Sequence, residues 1–380
     1  MFSNRYHINF WNYIDARLQD ESTVELCKQL GFTAIMTGGG SYLDENEGYT
    51  RLLTACEKYG MEAVVFDRSF RLTTYKKLGR EAYTAGVKGA LRFFEKFPAV
   101  KYAFVWDEPA GEDWQAMYEA CEIIRRCSDK ILPFNSLNHF NVAGEREVSE
   151  KLQEYMACSG GDIILYNCYS QCFACEKDKE QGLDNYFRQL RTVGSFALQH
   201  DIPFALSLIS VGHWIFRVPT QNDIRWQLST AAAHGATGFY WFHPFELPYY
   251  TASFRGYQVD QFGERSDTFY PLAYENKIFM RYIAARLQGF KLEKTYHVFR
   301  AYGGFPLFDK ESDEIVADVE NPDQRPLIVS RFRNGEGKRI VMVVNNSQTD
   351  NATVRICLTN GQNKKEYMAP GSIVLMDVEQ

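Results

Sequence analysis

Two acids stand side by side at the end of an apolar run. Lys101-Tyr-Ala-Phe-Val-Trp-Asp-Glu-Pro109 reads as a buried strand that carries Asp107 and Glu108 to its own C-terminal edge. Pro109 has no N–H to give to a sheet ladder, so strand structure must stop there. Burial raises the pKa of a carboxyl group, and a like charge next door raises one member of a pair further. Such a pair can hold one acid protonated near neutral pH beside an ionised neighbour, the arrangement that proton-transfer chemistry needs. On the tripeptide alone, a strand end with solvated acids before a turn is the competing reading.

The elements that must position this pair run the length of the chain. Up to about residue 290, short apolar strands alternate with helical segments. The expected strands are His7–Tyr13, Thr33–Thr37, Glu62–Asp67, the run to Glu108, Lys130–Asn135, Asp162–Asn167, Pro203–Ile209 and Thr237–Phe242. A capping box at Ser22-Thr-Val-Glu25 is expected to open the first helix, and Gly31 to stop it. Tyr274–Leu287 supplies the eighth helix. Eight strand–helix units over about 290 residues predict a (β/α)8 barrel rather than an open doubly wound sheet. From residue 291 to 380 strands follow one another without helices, and Asn334-Gly335 and Asn360-Gly361 mark hairpin turns. The division expected is therefore a barrel over 1–290 and a small antiparallel β-sandwich over 291–380.

In a barrel, chemistry gathers where strands end. Those ends offer Tyr13, Asp15, Asp67, Arg68, Asn135, Asn138, Tyr166, Asn167 and Tyr169. The last two strands add Ser210, His213, Trp214, Trp241 and His243, with Glu246 just beyond. Amides, carboxylates, phenols and indoles together can bond sugar hydroxyls and stack on pyranose faces, so a carbohydrate substrate is expected. A net charge of −6 offers no basic surface for nucleic acid. No apolar run approaches the roughly 18 residues of a membrane span, and no glycine-rich phosphate loop points to a nucleotide cofactor. The start lacks a basic-then-apolar leader, and nine scattered cysteines suit reduced thiols, so a cytoplasmic protein is expected. Nothing in the sequence sets the oligomeric state.

The chain resembles a (β/α)8 glycoside hydrolase with a C-terminal β-sandwich over essentially its whole length. The resemblance is carried by Trp106-Asp-Glu-Pro109, by Ala231-Ala-Ala-His-Gly-Ala-Thr-Gly-Phe-Tyr-Trp-Phe242, and by Val259-Asp-Gln-Phe-Gly-Glu-Arg-Ser-Asp267. The last is similar to a loop of β-galactosidase-like and cellulase-like enzymes. In that superfamily the fourth strand commonly ends Asn-Glu-Pro with the Glu as acid/base, which implies that role for Glu108, with Asp107 in place of Asn. Retaining members carry a second Glu at the end of the seventh strand, whereas Phe204–His213 here has no carboxylate. A retaining pair stands roughly 5–5.5 Å apart and an inverting pair roughly 6.5–9.5 Å. Asp67, Glu246, Asp260 and Glu264 are the available substitutes.

Substrate-assisted N-acetylhexosaminidases also carry an adjacent Asp-Glu pair at this strand and need no protein nucleophile. By that resemblance Asp107 orients the 2-acetamido group, Glu108 protonates the leaving oxygen, Tyr166 or Tyr169 donates to the acetamido oxygen, and Trp241 walls the pocket. The expected substrate contacts are Asp67, Asn135, Tyr166, Asn167, His213, Trp241, His243 and Glu246, with no metal and no cofactor. Two rival readings remain: a barrel that binds sugar without cleaving it, and a metal enzyme built on Cys168, Cys172 and Cys175.

Overall fold

The computed structural model describes residues 5–11, 13–39, 45–138, 144–247, 253–311 and 313–379. The apolar runs of the first part form eight strands: β1 (His7–Trp11), β2 (Ala34–Met36), β3 (Glu62–Val65), β4 (Val100–Asp107), β5 (Leu132–Ser136), β6 (Ile164–Asn167), β7 (Phe204–Ile209) and β8 (Gly238–Phe242). Between and after them lie α1 (Glu21–Gln29), α2 (Glu45–Tyr59), α3 (Leu72–Phe94), α4 (Asp113–Cys127), α5 (Glu145–Ser159), α6 (Lys179–Gln199), α7 (Gln221–Ala233) and α8 (Phe269–Ile278). The strands pair in parallel as two sheets, ordered β1-β8-β7-β6 and β2-β3-β4-β5.

Backbone hydrogen bonds close the two sheets into one barrel. On one seam the Thr33 N–H donates to Ile8 O at 2.8 Å. On the other, Leu137 N–H reaches Leu165 O at 2.8 Å and Asn167 N–H reaches Leu137 O at 3.0 Å. Closure removes the exposed edges that an open sheet would leave. Rings fill the interior from non-adjacent strands: Trp11 of β1 meets Phe104 of β4 at 4.9 Å, and Phe134 of β5 stacks on Tyr240 of β8 at 5.6 Å.

Helix ends differ in detail from the sequence expectation. The first helix is capped by Asp20, whose carboxylate accepts the Thr23 N–H at 3.0 Å; Ser22 lies inside the first turn and donates to Asp20 instead. A reciprocal capping box does occur, at Thr220 and Asp223 on α7. Gly31 ends the α1 region at φ 81°, a conformation that favours glycine. The last barrel helix runs on through a π-helical stretch, Phe279–Ala284, to Leu287.

Seven antiparallel strands follow: β9 (Phe290–Val298), β10 (Val316–Glu320), β11 (Leu327–Asn334), β12 (Arg339–Asn345), β13 (Ala352–Leu358), β14 (Asn363–Met368) and β15 (Ile373–Val378). They form two sheets, β15-β12-β11-β9 and β10-β13-β14. Val329, Val341 and Val343 face Ile356 in the sandwich interior, whereas Ile328, Met342 and Val344 on the opposite face join the barrel's core. Burial on both faces is why β12 reads as an unbroken apolar run. The sequence pattern marks four strands here, Pro326–Phe332, Arg339–Asn345, Ala352–Leu358 and Ser372–Asp377, which become β11, β12, β13 and β15; it missed β9, β10 and β14. No described helix is long and apolar enough to cross a membrane.

Candidate active site

The acid pair owes its direction to an irregularity in β4. Phe104 lies beside Phe134 of β5, then the register shifts, so that Trp106 lies beside Asn135 and Asp107 beside Ser136. One extra residue on a strand exchanges the two faces for everything after it. Asp107 thereby shares the inner face with Ser136, whose hydroxyl donates to Asn167 Oδ1 at 2.9 Å. That bond turns the Asn167 amide toward the acids. Its Nδ2 donates to Glu108 Oε1 at 2.9 Å and, more weakly, to Asp107 Oδ1 at 3.4 Å.

Glu108 has left-handed backbone geometry, φ 50°. A side-chain-bearing residue held there stores about 1–3 kcal/mol of strain, and such strain gathers at working sites. The Glu108 N–H is anchored on Ser136 O at 2.8 Å, and Pro109 behind it is buried. Burial is unequal across the pair: Asp107 is half-buried and Glu108 is exposed. The Asp107 carboxyl is pushed up to about 7, first by burial and then by the charge of Glu108, while Asn167, Ser136 and Arg71 pull it back. The desolvated member of the pair is Asp107, because the bulge turns it inward and the left-handed turn lifts its neighbour to the rim.

Beside the pair stands Tyr169, with its hydroxyl 2.7 Å from Ser207 Oγ and its ring stacked on Phe242 at 5.3 Å. Burial, reinforced by Asp107 and Glu108, holds that phenol firmly protonated. The aromatic wall continues from Phe242 to His213 at 5.5 Å, and His213 stacks on Trp214 at 4.3 Å and on Phe254 at 4.4 Å. Trp214 and Ile215 form the tip of a two-residue hairpin closed by paired bonds between His213 and Phe216. Trp214 is 67% exposed with φ 48°.

On the opposite side of the pair lies Arg71, in the loop between β3 and α3. Its guanidinium carbon sits 4.2 Å from the Phe66 ring centre and 4.9 Å from that of Phe104. Those rings stack at 5.3 Å, and Tyr13 covers Phe66 at 4.1 Å. Gly39 makes room for this stack, since a Cβ there would stand 2.4 Å from the Phe66 ring.

Of the residues expected to contact substrate, the fold brings Asn167 directly onto the acid pair. Three others turn to the helix layer and are corrected. The Trp241 indole donates to Asn276 of α8 at 2.9 Å, and Asn135 Nδ2 meets Cys121 of α4 at 3.5 Å. Tyr166, fully buried, alternates with Asn167 on β6 and faces Tyr186 of α6. Asp67 is also reassigned: it accepts the Ser69 N–H at 2.8 Å and the Tyr49 hydroxyl at 3.3 Å, and so holds the turn after β3. His213 and His243 stay at the mouth, but in the aromatic cluster. His243 packs against Phe254 at 5.0 Å and Tyr257 at 5.3 Å, and is pushed down to about 3 by burial and then by His213. Glu246 accepts the Gln261 N–H at 3.2 Å, tying down the loop beyond β8.

The sequence reading passed over Arg71, Ser136 and Ser207 as site residues. Ser136 and Ser207 end inward-facing strand positions, a signal available from alternation; nothing in the sequence marks Arg71. Between Phe204 and His213 the seventh strand presents Ser207 and Ser210 and no acid. Cys168 and Cys172 are buried while Cys175 is exposed, and among the described residues no three His, Cys, Asp or Glu side chains converge as a metal site. Three clefts of the surface are lined by Arg5, Pro203 and Phe290, by Glu62 and Lys101, and by Ser22 and Gly263; none of the three includes Asp107 or Glu108. The segments 40–44, 139–143 and 248–252, which follow β2, β5 and β8, lie outside the described residues.

No family model and no curated protein matches this sequence. Solved structures do match. A glycoside hydrolase family 5 protein from Bacteroides vulgatus ATCC 8482 superposes with a TM-score of 0.59 at 10% identity, over 99% of this chain and 86% of that one. A β-galactosidase from Rahnella sp. R3 gives 0.56 at 13% identity over 77% of this chain, which spans only 58% of that enzyme's length. A β-galactosidase from the Antarctic haloarchaeon Halorubrum lacusprofundi gives 0.52 at 12% identity. At these identities the likeness is one of fold, and the fold is the (β/α)8 barrel with a following β-sandwich that glycoside hydrolases use.

Proposed function

We propose that the protein is a glycoside hydrolase acting on a small oligosaccharide or glycoside, with Glu108 as general acid/base and Asp107 as its proton-sharing partner. The observation that carries this reading is the single Asn167 amide bonded at 2.9 Å to Glu108 and 3.4 Å to Asp107 at the C-terminal mouth of a closed barrel. Burial and the neighbouring charge of Glu108 hold a proton on Asp107 near neutral pH in the open site. A sugar ring covering the mouth displaces water from exposed Glu108, and loss of hydration favours the neutral acid that can protonate a departing oxygen. Tyr169 stands where it can donate to the substrate, and Trp214 offers a ring face to a second sugar.

The experiment is turnover of a panel of chromogenic aryl glycosides by wild type and by Glu108→Gln, with sugar binding followed by calorimetry. Loss of a single acid/base typically costs 10²–10⁴-fold in rate. Binding with that loss supports the assignment; turnover equal to wild type removes it. Binding by wild type with no turnover across the panel supports instead the non-catalytic barrel.

A second reading concerns the missing partner. The seventh strand and the residue after it present Ser207 and Ser210 but no acid, which favours attack by a substrate 2-acetamido oxygen over a protein nucleophile. In that case Asp107 steadies the acetamido N–H and Tyr169, rather than Tyr166, faces its oxygen. Aryl N-acetylhexosaminides turned over at least a hundredfold faster than the parent hexosides support it, and equal rates exclude it.

A further inference from the structure

Arg71 neither gives nor takes a proton in the chemistry described above, yet it is a charged group laid into the same mouth. Its guanidinium rests on the Phe66 and Phe104 rings, at 4.2 and 4.9 Å. Its Nε is enclosed and, among the described residues, meets no hydrogen-bond acceptor. Asp107 and Tyr13 act on it electrostatically, but neither is bonded to it. Elsewhere in this chain the sheltered arginines are paired: Arg331 with Asp313 at 3.2 Å and Arg225 with Glu275 at 2.8 Å. A guanidinium remains charged when buried, and this one, although it rests on two rings, forms no ion pair among the described residues.

We propose that Arg71 receives a carboxylate of the substrate, so that the sugar taken by this site is an acidic one of the uronate type. The chemistry is specific. Rings under the flat face of a guanidinium leave only its in-plane N–H edge for bonding, and that fork matches a planar carboxylate two bonds at a time. Aromatic faces suit the apolar side of a pyranose, and half-buried Tyr13 provides one beside the cation. The anion has a second consequence for Asp107. Neutralising Arg71 removes one of the influences that hold that carboxyl down, so docking of the substrate loads the acid pair with a proton. The groups facing Asp107 in this exchange are Glu108, Asn167, Ser136, Arg71 and Tyr169. This inference rests on the sugar-binding reading of the mouth but not on cleavage.

The test is calorimetric titration of the wild-type protein with D-glucuronate, D-galacturonate, D-glucose, D-galactose and glucose 6-sulfate, none of which it can cleave, at pH 7, repeated in buffers of different ionisation enthalpy. The expected result is a uronate bound at least tenfold more tightly than its neutral hexose, with proton uptake that the neutral sugar does not cause. Arg71→Met should erase the preference, and Arg71→Lys should keep part of it. Should Arg71→Met not fold, the comparison of uronate with hexose in the wild-type protein decides alone. Equal affinity for uronate and hexose, a preference that survives in Arg71→Met, or a stronger preference for the sulfate ester overturns the proposal. Arg71-dependent uronate binding without hydrolysis of any aryl uronide leaves this inference standing and removes the hydrolase. Glu108-dependent hydrolysis of neutral glycosides without uronate preference does the reverse.

Discussion

Asp107 and Glu108 are neighbours in sequence with opposite surroundings, and the difference sets what each can do. Asp107 titrates near 7 because burial and the adjacent charge both oppose its ionisation. If the proton held by the pair is the one delivered to the leaving group, kcat/KM falls as pH rises through about 7. Asp107→Asn removes the group whose proton is lost near 7, so the alkaline limb should move away from that pH. A pH–rate profile of the two proteins checks this, and an unmoved limb would separate Asp107 from the titration. Asn167→Ala leaves both acids without their shared donor and should cost about 1–3 kcal/mol of stability or transition-state binding, read as a reduced kcat with little change in substrate KM.

At the scale of elements, the site depends on three local departures from regular structure. The β4 bulge turns Asp107 inward, and the left-handed turn at Glu108 carries that acid to the rim. The His213–Phe216 hairpin holds Trp214 at φ 48°, outward and exposed. Trp214→Gly relieves the backbone strain while deleting the ring. Thermal stability should therefore hold or rise, while KM for a disaccharide glycoside rises relative to that of a monosaccharide glycoside. A matched loss with both substrates would show that Trp214 supports the fold and not a second sugar. Gly39 lies under the Phe66 ring, and Gly39→Ala places a methyl 2.4 Å from it. Overpacking of that kind costs about 1–3 kcal/mol, so chemical denaturation should show a lower midpoint, together with loss of whatever Arg71 contributes through its Phe66 platform.

Across the whole molecule, barrel and sandwich are locked by a histidine pair. His234 Nδ1 stands 2.6 Å from Thr230 O, so that nitrogen carries a proton and donates. His297 Nδ1 accepts the Tyr302 N–H at 3.1 Å, so its proton is on Nε2, and it donates across the 3.3 Å gap to His234 Nε2. The Trp226 indole on Asn346 and the Ser330 hydroxyl on Ala233 O flank this contact. Burial pushes His234 down to about 4; burial and then His234 push His297 down to about 2. The unfolded chain protonates both near 6.5, so it binds more protons than the folded state below that pH. The contribution is complete above about 6.5 and is lost as pH falls toward 4. Denaturation midpoints should drop between pH 7 and pH 5, and His297→Gln should flatten that dependence while lowering stability at pH 7.

Much of this protein is written in its local pattern. Alternating apolar runs, glycine stops and two Asn-Gly turns determined the eight-unit barrel and the sandwich, because burial on both faces of a parallel strand demands continuous apolar residues. The Asp107–Glu108 pair at a strand end and Asn167 two strands away were legible for the same reason. Which face a strand-end residue takes was not. Asn135, Tyr166 and Trp241 sit one residue away from inward positions, and a period of two turns a shift of one into the opposite face. The bulge that decides this for Asp107 arises only when β4 meets β5. Edge strands such as β14 escaped because their polar, alternating sequence signals nothing until a partner pairs with them. Arg71 is the clearest case of what tertiary structure alone decided. Its surroundings Phe66, Phe104 and Tyr13 come from β4 and from the residues just after β3 and β1, and only their assembly in the barrel lays a guanidinium across the Phe66 and Phe104 rings.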